Sequence, residues 1–435
     1  MSTVEASPKA SKEWMRPFFT IWSGQVFSLF GSSLVQFALV WHLTQLTGSA
    51  TVLATATLAA VLPNVFLGPF AGAIVDRRNR KLMMIVADGT TALITLGMVF
   101  LAAVNHLEIW EIYVGMFLRS FANSFHYPAM TASTTLMVPE DQLSRVAGLN
   151  QALQGAMNIV APPFGALIIG LIPFQWVLSI DCITALMAIL PLLFVPVPQP
   201  EKALVNSEQT SVVRVIWQDV KEGAKYVWAW PGLVGLMILA SLINFLENPA
   251  FTLLPLLVTK IFHGGAVQYS WIESGFGIGV VAGGLLLSVW GGFKKRMVTV
   301  IIGIMTAAAA LSVIGFLPAT GYPLALAMVI VIGLLNPIIN GSLMAITQAK
   351  VAPEIQGRVM TLIQSACMAM MPISMLIAGP ASDAFGIQSW YVIGGFGCIL
   401  LGAITLFIPA IMNIESYQLE GAATRLAGNT PVRAE

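Results

Sequence analysis

Four ionisable side chains stand where the surrounding sequence is apolar: Asp88, Arg119, Asp181 and Glu247. A charge at mid-helix in hydrocarbon costs about 2.5–3.5 kcal/mol on insertion scales, so each must be paired, face a cavity or shed its charge. Arg119 lies ten residues beyond Ile109, where its apolar run begins. At 1.5 Å per residue that is about 15 Å along a helix, the middle of a bilayer. Asp88 follows Lys81 by seven residues, about 10 Å along its own helix, and could meet Arg119. Such a pair is either a structural ion pair or part of a proton-coupling device. Asp181 is placed similarly within the run beginning at Phe174, and Glu247 stands between Asn244 and Pro249, where a proline-interrupted helix exposes backbone to a cavity. A carboxyl in a dry site holds a proton more readily than one in water. Asp181 and Glu247 are therefore the candidate proton carriers, and Asp88 and Arg119 join them as proton-coupling candidates. Glu273 and Asp383 lie near run ends and are expected to reach water.

A second constellation is the loop GPFAGAIVDRRNRK, residues 68–81. Gly68 and Gly72 share a helix face and let another helix approach closely. Asp76 follows beside Arg77, Arg80 and Lys81. An acid among bases at a helix end can latch two helices by charge-assisted bonds that break on movement; a stray acid among topology-setting bases is the plainer reading. A third is Pro162, Pro163 and Gly165 in GAMNIVAPPFGALIIG, a segment able to bend and slide against a partner helix as a hinge.

The sequence lends little support to other chemistry. His42, His106, His126 and His263 are scattered, mostly near run ends, so no nucleophile–base or metal constellation converges. No Gly-x-x-x-x-Gly-Lys-Ser/Thr loop is present to bind ATP. Cys182, Cys367 and Cys398 all fall inside apolar runs and read as packing residues. A net charge of +1 offers no basic face to a phosphate backbone, so nucleic acid is not a partner. No enzyme, metal or cofactor is expected.

The elements that must position these residues follow from composition. The chain is 57% hydrophobic and 9% charged, against about 25% charged in soluble domains. Its apolar runs are each near the roughly 20 residues that cross a bilayer as a helix. They fall at residues 18–43, 52–75, 82–104, 109–127, 146–172, 174–195, 233–261, 271–290, 297–317, 324–345, 359–385 and 389–412. With the N-terminus inside, every Lys and Arg lies on the inner side except Lys260 and the in-span Arg119. Basic residues accumulate on the cytoplasmic side, so both termini are cytoplasmic. The first run is too long for the apolar region of a cleavable signal and reads as the first span.

The longest polar stretch, opened by Pro196, Pro198 and Pro200, separates six runs from six. VPEDQLSRV ending at Val146 and APEIQGRV ending at Val359 match at a constant offset, Arg145 to Arg358 and Gln151 to Gln364, as duplication of a six-helix unit requires. The expectation is an all-α polytopic membrane protein of twelve transmembrane helices: a cytoplasmic tail 1–17, a six-helix half 18–195, a linker 196–231, a second half 232–412 and a tail 413–435.

Gly-x-x-x-Asp-Arg-x-x-Arg-Lys, Gly72 to Lys81, resembles the signature loop of the major facilitator superfamily, with Asn79 where many members have Gly. WSGQ ending at Gln25, LTGSA at 46–50, RSFANSFHYPA at 119–129, VPEDQL and GGLLL at 283–287 together resemble the macrolide-efflux (Mef-type) branch of its drug:proton antiporters. Arg119 is similar to a basic residue of that family's fourth helix implicated in proton coupling, and 155–170 resembles a degenerate form of its fifth-helix antiporter signature. The acid that many drug antiporters place in the first helix is missing from 18–43. The resemblance implies a secondary transporter in the plasma membrane of a prokaryote, exporting bulky lipophilic, macrolide-like drugs by alternating access. Its partners are then the lipid bilayer, a small-molecule substrate and protons. Export of an endogenous metabolite such as a siderophore is the alternative on the same fold, and a membrane enzyme or receptor the remaining one.

Overall fold

The structure, a computed structural model, describes residues 12–75, 77–199 and 221–416 of the 435-residue chain. Asp76, most of the two tails and residues 200–220 of the expected linker lie outside the described residues. Among those described, twelve helices of 20 residues or more run in chain order: α1 Met15–Thr47, α2 Ala50–Val75, α3 Arg80–Ala103, α4 Ile109–Met137, α5 Glu140–Leu171, α6 Phe174–Phe194, α7 Pro231–Thr252, α8 Ala266–Trp290, α9 Arg296–Gly315, α10 Tyr322–Lys350, α11 Pro353–Phe385 and α12 Ile387–Leu406. The last six begin 213–216 residues after their counterparts among the first six. Eleven contain segments long and apolar enough to cross a membrane. The exception, α4, carries Arg119, Ser120, Asn123, Ser124 and His126 along its length. Side chains as apolar as Val289 and Phe407 are 89% and 85% exposed on the outside of the bundle, a surface that suits lipid rather than water.

Helices approach closely where the sequence supplies glycine. A Cβ on Gly31 would sit 2.0 Å from Thr184 Oγ1, so α1 and α6 meet through a bare face. On α8, Gly279 and Gly283 are one turn apart, and Cβ atoms there would fall 2.3 Å from Ile330 O and 1.9 Å from Leu334 O of α10. With no apolar driving force between helices in lipid, such packing is what joins them.

The run read as one seventh span is two helices end to end: α7 stops at Thr252, and a short helix, Leu254–Lys260, follows Leu253. Pro255, in the first turn of the short helix, lacks the amide that would bond Phe251 O and continue the ladder. Two carbonyls of α7 also accept from α12, Leu246 O from Trp390 Nε1 at 3.0 Å and Ala250 O from Tyr391 Oη at 2.6 Å. By contrast α5 runs unbroken through Pro162 and Pro163.

The helix ends sort the bundle into two faces. One, the basic end, gathers Arg16, Arg77, Arg78, Arg80, Lys81, Arg145, Lys294–Arg296, Lys350 and Arg358; the other holds Lys260. The first and last six helices meet mainly through α2 with α11 and α5 with α8.

Candidate functional site

The side chains of one face of α4, namely Met116, Arg119, Ser120, Asn123, His126, Tyr127 and Met130, recur every three or four residues and so point the same way. They line a cavity of about 790 Å³ walled by α1 to α6. It extends from mid-bundle toward the basic end, since its lining on α1, α3 and α5 comes from the turns nearer that end. Polar stripes with the same period face it from α1 (Gln25, Ser28, Ser32, Gln36) and α5 (Asn150, Gln151, Gln154).

At the inner limit of this cavity Arg119 forms an ion pair with Asp181, and the same Nη1 donates to Thr95 Oγ1. Thr95 Oγ1 lies 2.9 Å from Asp181 Oδ2, and Ser32 Oγ donates to Oδ1 at 2.7 Å. Asp181 is only 1% exposed, so the pair stands in a low-dielectric site where losing either partner leaves an uncompensated charge. Four helices, α1, α3, α4 and α6, thus converge on one carboxylate.

The expected meeting of Asp88 with Arg119 does not occur: Asp181 takes the guanidinium. Asp88 instead accepts from Gln25 Nε2 at 3.2 Å and lies 3.3 Å from His126 Nε2. That separation is within ion-pair range, but Nε2 is buried and makes no hydrogen bond. His126 is therefore part of the site, although the sequence reading placed no histidine in one. Nearby, Asn64 of α2 is bracketed by α4, donating to Ser120 Oγ at 2.8 Å and accepting from Ser124 Oγ at 2.9 Å.

Glu247 stands apart. It lies on α7, contributes nothing to this cavity and forms no ion pair among the described residues. Glu273 does not simply reach into water: it accepts from Tyr269 Oη, half-buried where Tyr269 stacks on Phe37 and Trp41 of α1, with ring centroids 5.1 Å and 5.9 Å apart. Asp383 is exposed as expected, yet it also binds across the bundle. Its carboxylate accepts from Ala50 N at 2.7 Å, Thr51 N at 2.9 Å and Ser49 Oγ at 2.8 Å, capping the N-terminus of α2 from α11. At the end opposite the basic one, these contacts bridge the first and last six helices.

At the basic end α2 is bare: a Cβ on Gly68 or Gly72 would meet nothing within 4 Å. The close helix approach anticipated for these two glycines is not made in this conformation. Arg77 is exposed; Arg80 Nη1 donates to Ala132 O at 2.7 Å, and Lys81 Nζ donates to Leu193 O and Val195 O at 3.1 and 3.2 Å, capping the end of α6. Of the three residues expected to form a hinge, Gly165 admits α1, since a Cβ there would lie 2.8 Å from Phe37 Cδ1.

The residues that the sequence reading missed, Gln25, Ser32, Thr95 and His126, carried a usable signal: polar side chains repeating at helical period on helices otherwise apolar. Segments 22–25 and 119–129 supply part of the cavity wall, and 46–50 supplies the turn that Asp383 holds.

Among proteins of known kind, Macrolide efflux protein A of Streptococcus pyogenes is 33% identical over 407 residues, 94% of this chain and 98% of that protein. Multidrug efflux pump Tap of Mycolicibacterium fortuitum is 25% identical over 398 residues, 88% of this chain and 94% of that one. The solved nucleoside transporter NupG superposes with a TM-score of 0.67 at 15% identity, covering 93% of this chain and 99% of its own. A D-xylose-proton symporter gives 0.64 at 12% identity, covering 89% and 96%. The Major Facilitator Superfamily model matches residues 21–374. A polytopic helical bundle with a polar cavity inside an apolar exterior, matched over this length, belongs to the Major Facilitator Superfamily of membrane transporters.

Proposed function

We propose that this transporter exports bulky lipophilic compounds of the macrolide kind by alternating access, driven by a proton gradient, across the plasma membrane of a prokaryote. The observation that carries the reading is the cavity of about 790 Å³, which joins apolar and hydrogen-bonding walls around a buried ion pair. Sites of roughly 300–1,000 Å³ take drug-sized molecules, and the similarity to macrolide efflux proteins extends over 94% of the chain. The basic end is assigned to the cytoplasm by the excess of Lys and Arg there, with both termini on that side. The twelfth span is α4, its in-membrane charge paid for by Asp181. The halves are 18–195 and 232–412, joined by 196–231.

On this reading the conformation is open to the cytoplasm and sealed outside by Asp383 and the Tyr269 stack. Closure of the basic end brings the bare face at Gly68 and Gly72 against the last six helices, where Asp76, Arg77, Arg80 and Lys81 latch it. Pro162, Pro163 and Gly165 give α5 the compliance to follow. Asp181 and Glu247 carry the proton, with Arg119 and Asp88 answering its arrival.

The test is accumulation of labelled erythromycin in cells expressing the protein, with and without a protonophore. Export predicts lowered accumulation that the protonophore restores. Accumulation equal to that of control cells overturns the reading.

A further inference from the structure

The repeat lets each wall of the cavity be compared with its counterpart in the last six helices. The halves meet through the equivalent pairs α2 with α11 and α8 with α5, as a two-fold axis passing between α1, α4, α7 and α10 requires. The faces of α7 and α10 equivalent to the cavity-lining faces of α1 and α4 therefore look across that axis. Counted from the start of each helix, Asp88, Arg119, His126 and Asp181 are replaced by Ile304, Ile332, Ile339 and Gly394. The uncharged positions keep their polarity. Gln25, Ser28 and Ser32 of α1 become Ser241, Asn244 and Asn248 of α7, and Asn123 and Tyr127 of α4 become Asn336 and Asn340 of α10. Asn244 and Asn248 stand opposite Leu246 and Ala250, whose carbonyls bond α12. Asn336 and Asn340 are exposed, and bare carboxamides at this depth face water rather than lipid. Glu247, the ionisable side chain of this stretch, lies within electrostatic reach of Cys398 of α12, on another side of α7.

The four carboxamides bond only within their own helices. Asn244 Nδ2 donates to Ala240 O at 2.9 Å, Asn248 Nδ2 to Asn244 O at 2.8 Å and Asn340 Nδ2 to Asn336 O at 3.1 Å. Among the described residues none of the four crosses to a neighbouring helix. In the first six helices the polar groups of the wall do cross. Trp22 Nε1 donates to Asn150 Oδ1 at 2.8 Å, Gln25 donates to Asp88, and Asn64 is held by two serines of α4. Asparagine in a membrane helix ordinarily ties that helix to another. These four tie nothing, so their amides are left for a ligand. We propose that Asn244 and Asn248 of α7 with Asn336 and Asn340 of α10 form an uncharged half-site that hydrogen-bonds the hydroxyl- and carbonyl-bearing face of the exported compound. This rests on reading the cavity as the transport site. A carboxamide offers donor and acceptor together, which suits a neutral ligand surface carrying both hydroxyls and carbonyls. Residues one turn apart set the two amides of each helix about 6 Å apart, roughly the width of a sugar ring.

The test titrates erythromycin, a macrolide with hydroxyls on its macrocycle and on both sugars, into the full-length protein in detergent. Leucine is close in shape to asparagine and forms no hydrogen bond, so N244L/N248L and N336L/N340L each remove the amides and keep the outline. Each pair should raise the Kd for erythromycin about tenfold, the scale of one or two net hydrogen bonds. The melting temperature should be no lower than that of wild type, because no bond between helices is lost. Wild-type affinity in either folded variant overturns the proposal and leaves efflux standing. If a leucine pair does not fold, single cysteines decide. With Cys182, Cys367 and Cys398 replaced by alanine, N248C and N336C should each react with a maleimide in membranes, and saturating erythromycin should protect both. Labelling that erythromycin leaves unchanged overturns the half-site. No binding of erythromycin by wild type overturns the efflux reading, and the half-site with it.

Discussion

Asp181 shows how much one side chain can organise here. It joins α1, α3, α4 and α6 through Ser32, Thr95 and Arg119, so its loss has two separable consequences. Asp181→Asn should abolish gradient-driven export, and by stranding Arg119 it should also destabilise the folded protein by about 3–5 kcal/mol. Thermal unfolding in detergent beside drug accumulation in cells reads both. Adding Arg119→Gln should recover much of the stability and none of the transport; wild-type export by Asp181→Asn would sink the assignment. Glu247→Gln should lose export without the stability cost, because Glu247 has no ion pair among the described residues to break. The sequence singled out Asp88, Arg119, Asp181 and Glu247, but set Glu273 of α8 aside as reaching water and paired Arg119 with Asp88. Position along a helix gives height in the membrane, but which neighbour a side chain meets depends on how helices are rotated and arranged, which apolar runs do not encode.

Among elements, the contact between α2 and α11 is the one that distinguishes the two ends of the bundle. Asp383 supplies the cap that the first turn of α2 lacks from its own sequence neighbours, apart from what Ser49 gives. Asp383→Ala should remove about 1 kcal/mol, the usual worth of an N-cap, and shift the sealed-to-open balance at that end about fivefold. A single cysteine at Phe37 or Tyr269 should then react faster with an impermeant thiol reagent, and an unchanged rate would count against the seal. Glycine contacts make a second prediction of this scale. Gly283→Val should block the approach of α8 to α10, where even a Cβ falls 1.9 Å from Leu334 O, and lower the yield of folded protein. Gly165→Ala, facing the ring of Phe37, should impair transport more than yield if α5 moves against α1 during the cycle; full transport would argue against a hinge there. The sequence marked Gly165 and Asp383 but could not say what each touches, since both partners are distant in the chain and meet only through packing.

At the scale of the molecule, the distribution of charge gives an orientation that can be measured. Lys260 should react with an impermeant amine reagent added outside intact cells, and Lys295 only after permeabilisation; the reverse would invert the topology. A cysteine at Gly72 should be reactive in the state described here and protected when the basic end closes. That the chain is an all-helical bundle, the order of its long helices and the repeat between its first and last six were determined by the sequence alone. Hydrocarbon admits few solutions: every backbone amide must be bonded within its own helix, and each helix must be long enough to cross. Which charges pair, that His126 joins Asp88, that Asp383 caps a helix some 330 residues away in the chain, and that α2 is bridged to α11 at one end and bare at Gly68 and Gly72 toward the other were decided by tertiary structure. They depend on the rotation and tilt of helices whose outer faces are uniformly apolar, and in lipid those are fixed by side-chain packing and polar contacts rather than by any pattern legible along the chain.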